Sequence, residues 1–551
     1  MISRKPRQLW LFFALLLGLA SPAVSQSPPW TGPVYGPGSH QYLPPRPAAG
    51  LPAASPALLA QIAALQKQVT QIQAASAPAV FGQPITNRTG RLAVCHFQLS
   101  CRAWENGSQA GYLGAITKAR DMGFDGFSID DGANTPEYLQ NRTRIYAACN
   151  QFNATNKGAV NRWGVGDFKL FTTLDMATFP YTQADIVAVL APVLKDPANL
   201  LWQGKPVYST YAGGRFGTQE NLKSFWQGVS GALKTSGVTP FFIPGFETTD
   251  ASCNYIPNNQ ASSAAMTAFL KAFSDGWWQY DGGSPLTQDS SLPGDEVRNL
   301  AVTNAGMIAM TSQMVEYWGA RHSTGTDGTS HFYHEYYGGE GLSATWKSIL
   351  ARPPPIVQFL TFNDYDEGSN IDDHDVGPGS SWPYLFHSAV NGYYVSKAGK
   401  VVEWQLGLHE YKTGLPPKIV NDTVNVFYRT QTKDCILGTK PDGSLIDPLG
   451  PIAYASSENG GGPAPASLED VACITCIFSR SQTLAWKIGT KTWTRPMPAG
   501  ITRLRVPFVA GQPSLTISAL DGSSFSVPGL IPIADHADYS DANIFSASAH
   551  N

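Results

Sequence analysis

The sequence predicts an α/β protein: a (β/α)8 barrel of the TIM type over residues 85–395, followed by a β-sandwich domain over 396–551. Three observations carry that expectation. Between residues 90 and 395 a short β-prone run followed by a longer helix-prone stretch recurs eight times. Beyond residue 396 helical patterning nearly vanishes, and β-prone runs alternate with turn residues at short spacing. No Gly-rich phosphate turn follows the first β-run, which disfavours the doubly wound alternative. A chain of 551 residues is also long enough for two globular units plus tails.

The β-runs fall at 92–97, 124–130, 168–174, 206–211, 240–246, 277–280, 307–311 and 356–362. Each is short and apolar, as strands of a parallel sheet buried on both faces must be. Between them, stretches such as 112–122, 183–194, 220–233 and 261–273 show helical periodicity or good helix formers. In the last domain 424–428, 484–488, 503–509 and 514–519 read as strands. Such a module either packs on a barrel or binds glycan.

The N-terminus reads as an export signal over residues 1–25. Arg4, Lys5 and Arg7 precede an apolar run from Leu9 to Leu19, and Ser21-Pro22-Ala23-Val24-Ser25 offers a small-residue cleavage site. The run is short for a membrane span, so a secreted or periplasmic protein that leaves the membrane after signal cleavage is expected. Residues 26–84 form a Pro/Ala-rich linker, within which Leu58, Ile62, Leu65, Val69 and Ile72 are spaced like an a/d seam. About two heptads are marginal for a coiled coil, so residues 57–75 suggest weak oligomerisation or an amphipathic helix docked on the main domain.

Charged residues make up only 14% of the chain, the formal net charge is −3, and there is no basic stripe; nucleic acid is not an expected partner. Low charge with 14 Trp and 22 Tyr suits a neutral polar ligand such as a polysaccharide, whose C–H faces stack on rings. Seven cysteines in an exported chain allow disulfides but leave one over. Cys95 and Cys101 are close in sequence. Cys473 and Cys476 have C-x-x-C spacing without a second such pair, so pairing with Cys435 is expected over a zinc or redox role. Asn87, Asn106, Asn141, Asn153 and Asn421 begin glycosylation sequons.

The chemistry should lie where the strands end. The first run ends in His96-Phe97-Gln98, the second in Asp130-Asp131, the third in Asp175, the fifth in Glu247, the sixth runs into Asp281, and the eighth into Asn363-Asp364-Tyr365-Asp366-Glu367. In a barrel all would share the C-terminal face, where such enzymes place acids and bases. A ring of carboxylates with aromatic and amide neighbours is what glycoside hydrolysis needs: one acid to protonate the leaving oxygen, one ionised base or nucleophile. Divalent metal binding is the rival use, pointed to by Asp372-Asp373-His374-Asp375 and His331–His334. Neither fits an H-E-x-x-H pattern or an EF-hand loop, so no metal ligand is assigned. A serine nucleophile lacks its G-x-S-x-G elbow.

Several of these runs resemble glycoside hydrolase family 71, the fungal-type α-1,3-glucanases or mutanases. Val94-Cys95-His96-Phe97 resembles that family's first strand, Gly123-Phe124-Asp125-Gly126-Phe127-Ser128-Ile129 its second, and Phe168 to Met176 its third. Phe362-Asn363-Asp364-Tyr365-Asp366-Glu367 resembles its Trp-Asn-Asp-Tyr-Gly-Glu signature, the most specific part of a likeness covering roughly residues 90–430. The resemblance implies a (β/α)8 barrel, no cofactor, and hydrolysis of α-1,3-glucan with inversion. It places the catalytic pair on Asp364 and Glu367, with Glu367 as general acid and Asp364 as base, or the reverse. Asp131 or Asp130 would assist, while His96, Asp175, Glu247, Asp281, Asn363 and Tyr365 would contact substrate.

The chain departs from that signature at three places. Asp366 stands for Gly, Phe362 for Trp, and Gly368-Ser369-Asn370 for Ser-His-Tyr. Asp366 adds a like charge between the catalytic carboxylates and would perturb both, and the changed residues are expected to face substrate. Two other readings stay open: a non-catalytic polysaccharide-binding protein, and a metal-dependent hydrolase of another class.

Overall fold

The structure, a computed structural model, describes residues 84–551 apart from 100–106, 178–180, 215–216, 255, 257, 281–290, 315–316, 320–330, 335–336, 365–367, 374–396, 438–451, 455–468 and 536–543. The export signal, the linker and the 57–75 seam lie outside the described residues, as do Cys101, Asp281, Tyr365, Asp366, Glu367, His374 and Asp375.

The first unit is mixed α/β. Its parallel strands are β1 (Leu92–Gln98), β2 (Gly126–Asp131), β3 (Lys169–Asp175), β4 (Lys205–Tyr211), β5 (Phe241–Pro244), β6 (Gly276–Trp277), β7 (Ile308–Met314) and β8 (Ile356–Leu360). The helices that follow them are α1 (Gln109–Met122), α2 (Pro136–Thr155), α3 (Gln183–Val193), α4 (Gln219–Thr235), α5 (Gln260–Leu270), α6 (Ser291–Asn304), α7 (Gly339–Ala351) and α8 (Ala398–Thr413). The strands are neighbours in sequence order, and β8 returns to pair with β1. The sheet therefore curls, and its one unpaired gap among the described residues, between β5 and β6, is spanned by a parallel bridge from Gly245 to Trp278. Gly245 permits that approach, because a Cβ there would sit 2.3 Å from the Thr210 carbonyl and 2.7 Å from the Trp278 ring.

Alternation along each strand sorts the side chains. Cys95, Phe97, Phe127, Ile129, Leu170, Leu174 and Phe359 turn outward and join one apolar cluster with the helices. Val94, Phe171, Val207, Phe241, Ile243, Met310 and Ile356 turn inward and form a separate apolar floor inside the curl. Nearer the C-terminal strand ends the inward positions become polar, with Ser128 and Thr173 hydroxyls bonded to one another. Local signals start the helices: Ser108, Thr135, Thr182, Thr218 and Asn259 each accept a bond from the first turn.

Helix α8 begins just beyond the expected boundary at 396 and packs on the first unit. Its Trp404 stacks on Phe124 and tilts against Trp346, and Leu408 and Tyr411 join the same cluster. Lys412 reaches Asp125 and the Gly123 carbonyl, so α8 is part of the wall around the parallel sheet. The reason helical patterning is hard to see here is that Lys400, Glu403 and Lys412 are themselves buried.

The second unit contains two four-stranded antiparallel sheets. One joins β9 (Thr423–Arg429), β10 (Val471–Phe478), β13 (Gly500–Pro507) and β16 (Ile544–His550); the other joins β11 (Gln482–Ile488), β12 (Lys491–Met497), β14 (Pro513–Ala519) and β15 (Ser524–Ser526). Val426, Ile474, Trp486, Leu515, Ile517 and Phe545 share one apolar cluster. The opposite face of the first sheet is also covered: Phe427, Cys473 and Ile544 pack with Tyr337, just before α7. Ion pairs Arg503–Glu403 and Arg505–Glu340 cross between the units.

The expected pairing of Cys435 with Cys473 or Cys476 is not formed; Cys435 and Cys476 are buried thiols, and so is Cys95. Cys473 and Cys476 sit on the long central strand β10, whose ladder rather than a cross-link fixes their place. Two sequons are also spoken for. Asn141 is buried, and the Asn153 amide both donates to and accepts from the Phe168 backbone.

Gly407 tests the α7–α8 contact. An added Cβ would meet the Trp346 ring at 2.2 Å. In an exposed helix Gly→Ala would gain about 1 kcal/mol, whereas overpacking here costs about 1–3 kcal/mol. Gly407→Ala should therefore lower stability in urea unfolding, and a gain would show that the contact yields.

Candidate active site

The strand ends were expected to gather carboxylates, and the period of two decides which ones turn inward. On β1, His96 and Gln98 share the inward face with Val94; on β2, Asp130 shares it with Ser128. His96 Nε2 lies 3.2 Å from Asp130 Oδ2, and both residues are buried. The ring donates from Nε2 to the carboxylate. His96 is flanked by Trp278 at 6.4 Å and by the edge of Tyr280 at 6.3 Å, and Tyr280 in turn contacts Tyr211. Trp278 is fixed by a bond from Nε1 to Ser209 Oγ. Nδ1 of His96 and Oδ1 of Asp130 are buried without a hydrogen-bond partner among the described residues. An unsatisfied buried polar atom costs about 1–3 kcal/mol, a cost that folds concentrate at functional sites.

Asp364 stands beside this pair because β8 is locked to β1. The Asn363 side chain accepts from the Gln98 backbone N–H at 2.8 Å and donates to its carbonyl at 3.0 Å. Those two bonds extend the strand pairing by one side chain and leave Asn363 fully buried. The Gln98 side chain donates to Asp364 Oδ2 at 3.1 Å, and the Asp364 N–H donates to Thr361 Oγ1. Asp364 is half-buried.

Asp131 points the other way. It is fully buried behind the sheet and holds Arg142 of α2 through both carboxylate oxygens. Burial raises its pKa, and the guanidinium opposes that rise. Tyr181 donates to its carbonyl. Asp131 is thus committed to a buried ion pair behind the strands, whereas Asp130 is the second-strand acid on the inner face. Asp175 is buried at the end of β3, where Oδ1 accepts from the Ala177 N–H, and Glu247 lies half-buried beyond β5. Glu367, Tyr365, Asp366 and Asp281 are outside the described residues.

The departures from the family signature that lie among the described residues are buried. Phe362 is fully buried, stacked on Phe97 at 5.7 Å and edge-on to Phe127 at 5.0 Å. Ser369 and Asn370 are buried as well, with Ser369 bonded to Thr361. The acidic run after them is also accounted for in part: Lys118 donates to Asp372 at 2.6 Å and to Asp373. Burial pulls the Lys118 pKa down, but the two carboxylates outweigh it and the net shift is upward. Those two acids therefore form an ion-pair anchor, and no cluster of three metal-ligating side chains occurs among the described residues. Tyr211 and Tyr280 are not singled out in the sequence, whereas Gln98 is named there at the end of the first run without a role. Gln98 was legible, being two residues beyond His96 on the same face.

A family model described as Glycosyl hydrolase family 71 matches residues 89–550. The Ascus wall endo-1,3-alpha-glucanase of Schizosaccharomyces pombe is 25% identical over 475 residues, spanning 80% of this chain and 93% of that protein. The Glucan endo-1,3-alpha-glucosidase agn1 of the same yeast is 22% identical over 420 residues, spanning 75% and 85%. Among solved structures, a GH99 endo-alpha-mannosidase from Bacteroides thetaiotaomicron overlaps with a TM-score of 0.35 and 11% identity, covering 54% of this chain and 81% of that one. That overlap is too distant to bear on the site.

Replacing Arg142 tests whether Asp131 is structural. Arg142→Met strands a buried carboxylate, and losing one partner of such a pair costs about 3–5 kcal/mol. With its folded pKa raised by burial, Asp131 would favour folding when protonated, so stability of the variant should rise as pH falls through that raised value. Urea midpoints at neutral and acidic pH, compared with wild type, measure this. A wild-type-like midpoint at neutral pH would contradict the ion-pair assignment.

Proposed function

This chain belongs to glycosyl hydrolase family 71, and from that premise we propose that it is an exported glycosidase that cleaves α-1,3-glucan with inversion. The observation that carries the proposal is the set of groups converging on Asp364: Gln98 on its carboxylate, Asn363 clamping β8 to β1, and the His96–Asp130 pair beside them. The relatives named as 1,3-α-glucanases support the linkage, and the basic, apolar and small-residue start of the chain supports export.

Inverting hydrolysis needs a carboxylic acid to protonate the glycosidic oxygen and a carboxylate on the opposite side of the sugar to activate water. Asp364 is assigned as the base because the Gln98 amide orients its carboxylate at the end of β8. Glu367, three residues on, is assigned as the acid. His96 and Asp130 offer polar atoms for a sugar hydroxyl, and the half-buried Tyr211 and Tyr280 offer ring faces for its C–H surface. The reading of the parallel sheet as a closed (β/α)8 barrel rests on its cyclic strand order and the Gly245–Trp278 bridge. That of the second unit as a β-sandwich rests on the apolar cluster its two sheets share. On this reading the division between the units falls between α8 and β9.

Reducing-sugar release from α-1,3-, α-1,4-, β-1,3- and mixed glucans tests the linkage, with activity on the α-1,3-glucan alone expected. Proton NMR of the first product should show the β-anomer; an α-anomer would exclude inversion. Asp364→Asn and Glu367→Gln should each lower kcat by about 100-fold or more with little change in thermal midpoint, and full activity in either removes that residue from the mechanism.

A further inference from the structure

One inward side chain of the curled sheet bonds neither to the His96–Asp130 pair nor to Asp364. On β8 the alternation sends Val357 and Phe359 outward and Ile356 inward to the apolar floor, so Gln358 faces inward as well. It is fully buried, yet neither its Nε2 nor its Oε1 has a hydrogen-bond partner among the described residues. Ser312 stands in register with it on β7, between the inward residues Met310 and Met314. The Ser312 hydroxyl is buried and unpartnered too. On its other side Gln358 is in register with Val94, two residues before His96 on the same face.

A buried amide and a buried hydroxyl left without partners are costly, and an apolar residue of the same shape would serve the core as well or better. The same interior holds an acceptor in want of a donor. With the His96 proton on Nε2, toward Asp130, Nδ1 accepts, and it is buried without a partner. Neighbouring strands lie about 4.8 Å apart and rise about 3.3 Å per residue, so Gln358 and His96 are diagonal neighbours within reach of long side chains. No direct bond joins them. Buried polar groups that face one another beyond hydrogen-bond distance are joined by ordered water, which takes about three partners of its own. The bond made by one imidazole nitrogen decides which nitrogen carries the proton.

We propose that Gln358 and Ser312 form a hydrated polar layer on the apolar floor: they hold an ordered water that donates to His96 Nδ1 and so keeps the ring proton on Nε2, aimed at Asp130. Gln358 is then a positioning residue that acts through His96 and not on the sugar. Asp130 Oδ1, the remaining unpartnered atom of the group, is left to accept from a sugar hydroxyl. The effect on catalysis rests on the reading of His96 and Asp130 as groups that meet the sugar. The water and the ring tautomer are properties of the free protein.

The test uses the full chain. Nitrogen NMR of labelled histidine side chains, with His96→Asn identifying the signal, should find the wild-type proton on Nε2, and a high-resolution crystal structure should show a water bonded to Nδ1 and to Gln358 or Ser312. Gln358→Met, close in shape but without the amide, should keep or raise the thermal midpoint. Its His96 signal should move to a mixture of tautomers, and kcat/KM on a soluble α-1,3-linked oligosaccharide should fall by about 10-fold, as when a partner that orients a functional histidine is lost. A wild-type proton on Nδ1, or no water at that atom, overturns the proposal. So does a folded Gln358→Met protein whose His96 signal is unchanged, and a shifted signal with wild-type kcat/KM overturns the positioning role. If that variant does not fold, Ser312→Ala is read in the same way, and its unchanged His96 signal overturns the proposal. Wild-type protein inactive on every α-glucan, with the tautomer and the water as expected, would instead sink the glycosidase reading and uphold the hydrated layer.

Discussion

The pairing of β1 with β8 is the contact on which the site depends. Leu92 to Cys95 lie in parallel register with Ile356 to Phe359, so the first and last strands of the curled sheet become neighbours. Without that closure His96 and Gln98 would face open solvent at a sheet edge, with no Asp364 opposite. The Asn363 side chain carries the pairing beyond the last backbone bond and makes its geometry reciprocal, one donor and one acceptor in each direction. A buried amide used in this way costs little, because both of its polar atoms are satisfied.

Inside the curl, polarity is graded. The N-terminal layer is apolar, the middle carries hydroxyls, and acids and aromatic rings lie at the C-terminal ends. Burial thus supplies stability at one end and desolvated chemistry at the other. Acids outside that inner face serve as structure: Asp131 holds Arg142, Asp125 holds Arg88 and Lys412, and Asp372 holds Lys118. Adjacent acids such as Asp130 and Asp131 have opposite duties because a strand sends successive side chains to opposite faces.

Much of this is legible in the sequence, and the failures have physical reasons. The parallel strands are readable because burial on both faces makes them short apolar runs against a low-charge background. Helix α8 escapes a periodicity argument because its polar residues are buried against backbone carbonyls and paired charges, so no polar face marks its period. Strand β10 escapes it too, because the Val471–Phe478 run is buried on both sides and shows no alternation. Analogy of position makes Phe362 a substrate contact, whereas the aromatic cluster around Phe97 and Phe127 draws it into the core. Asp131 is sortable from sequence, since alternation from Ser128 already turns it outward.

The Lys400 backbone N–H donates to Ser546 Oγ, and this seat of α8 on β16 has a consequence for biosynthesis. Lys400 and Ser546 are 146 residues apart, and β16 also completes the edge of its sheet by pairing with β9. A chain that emerges from the ribosome N-terminus first exposes all eight parallel strands long before the strand that fixes the first turn of α8 has been made. Local contacts in the βα units form early, whereas this contact carries the loop-closure entropy of a long separation. Seating of the first turn of α8 on β16 is therefore a late event in folding, one that a ribosome paused before residue 546 would leave undone.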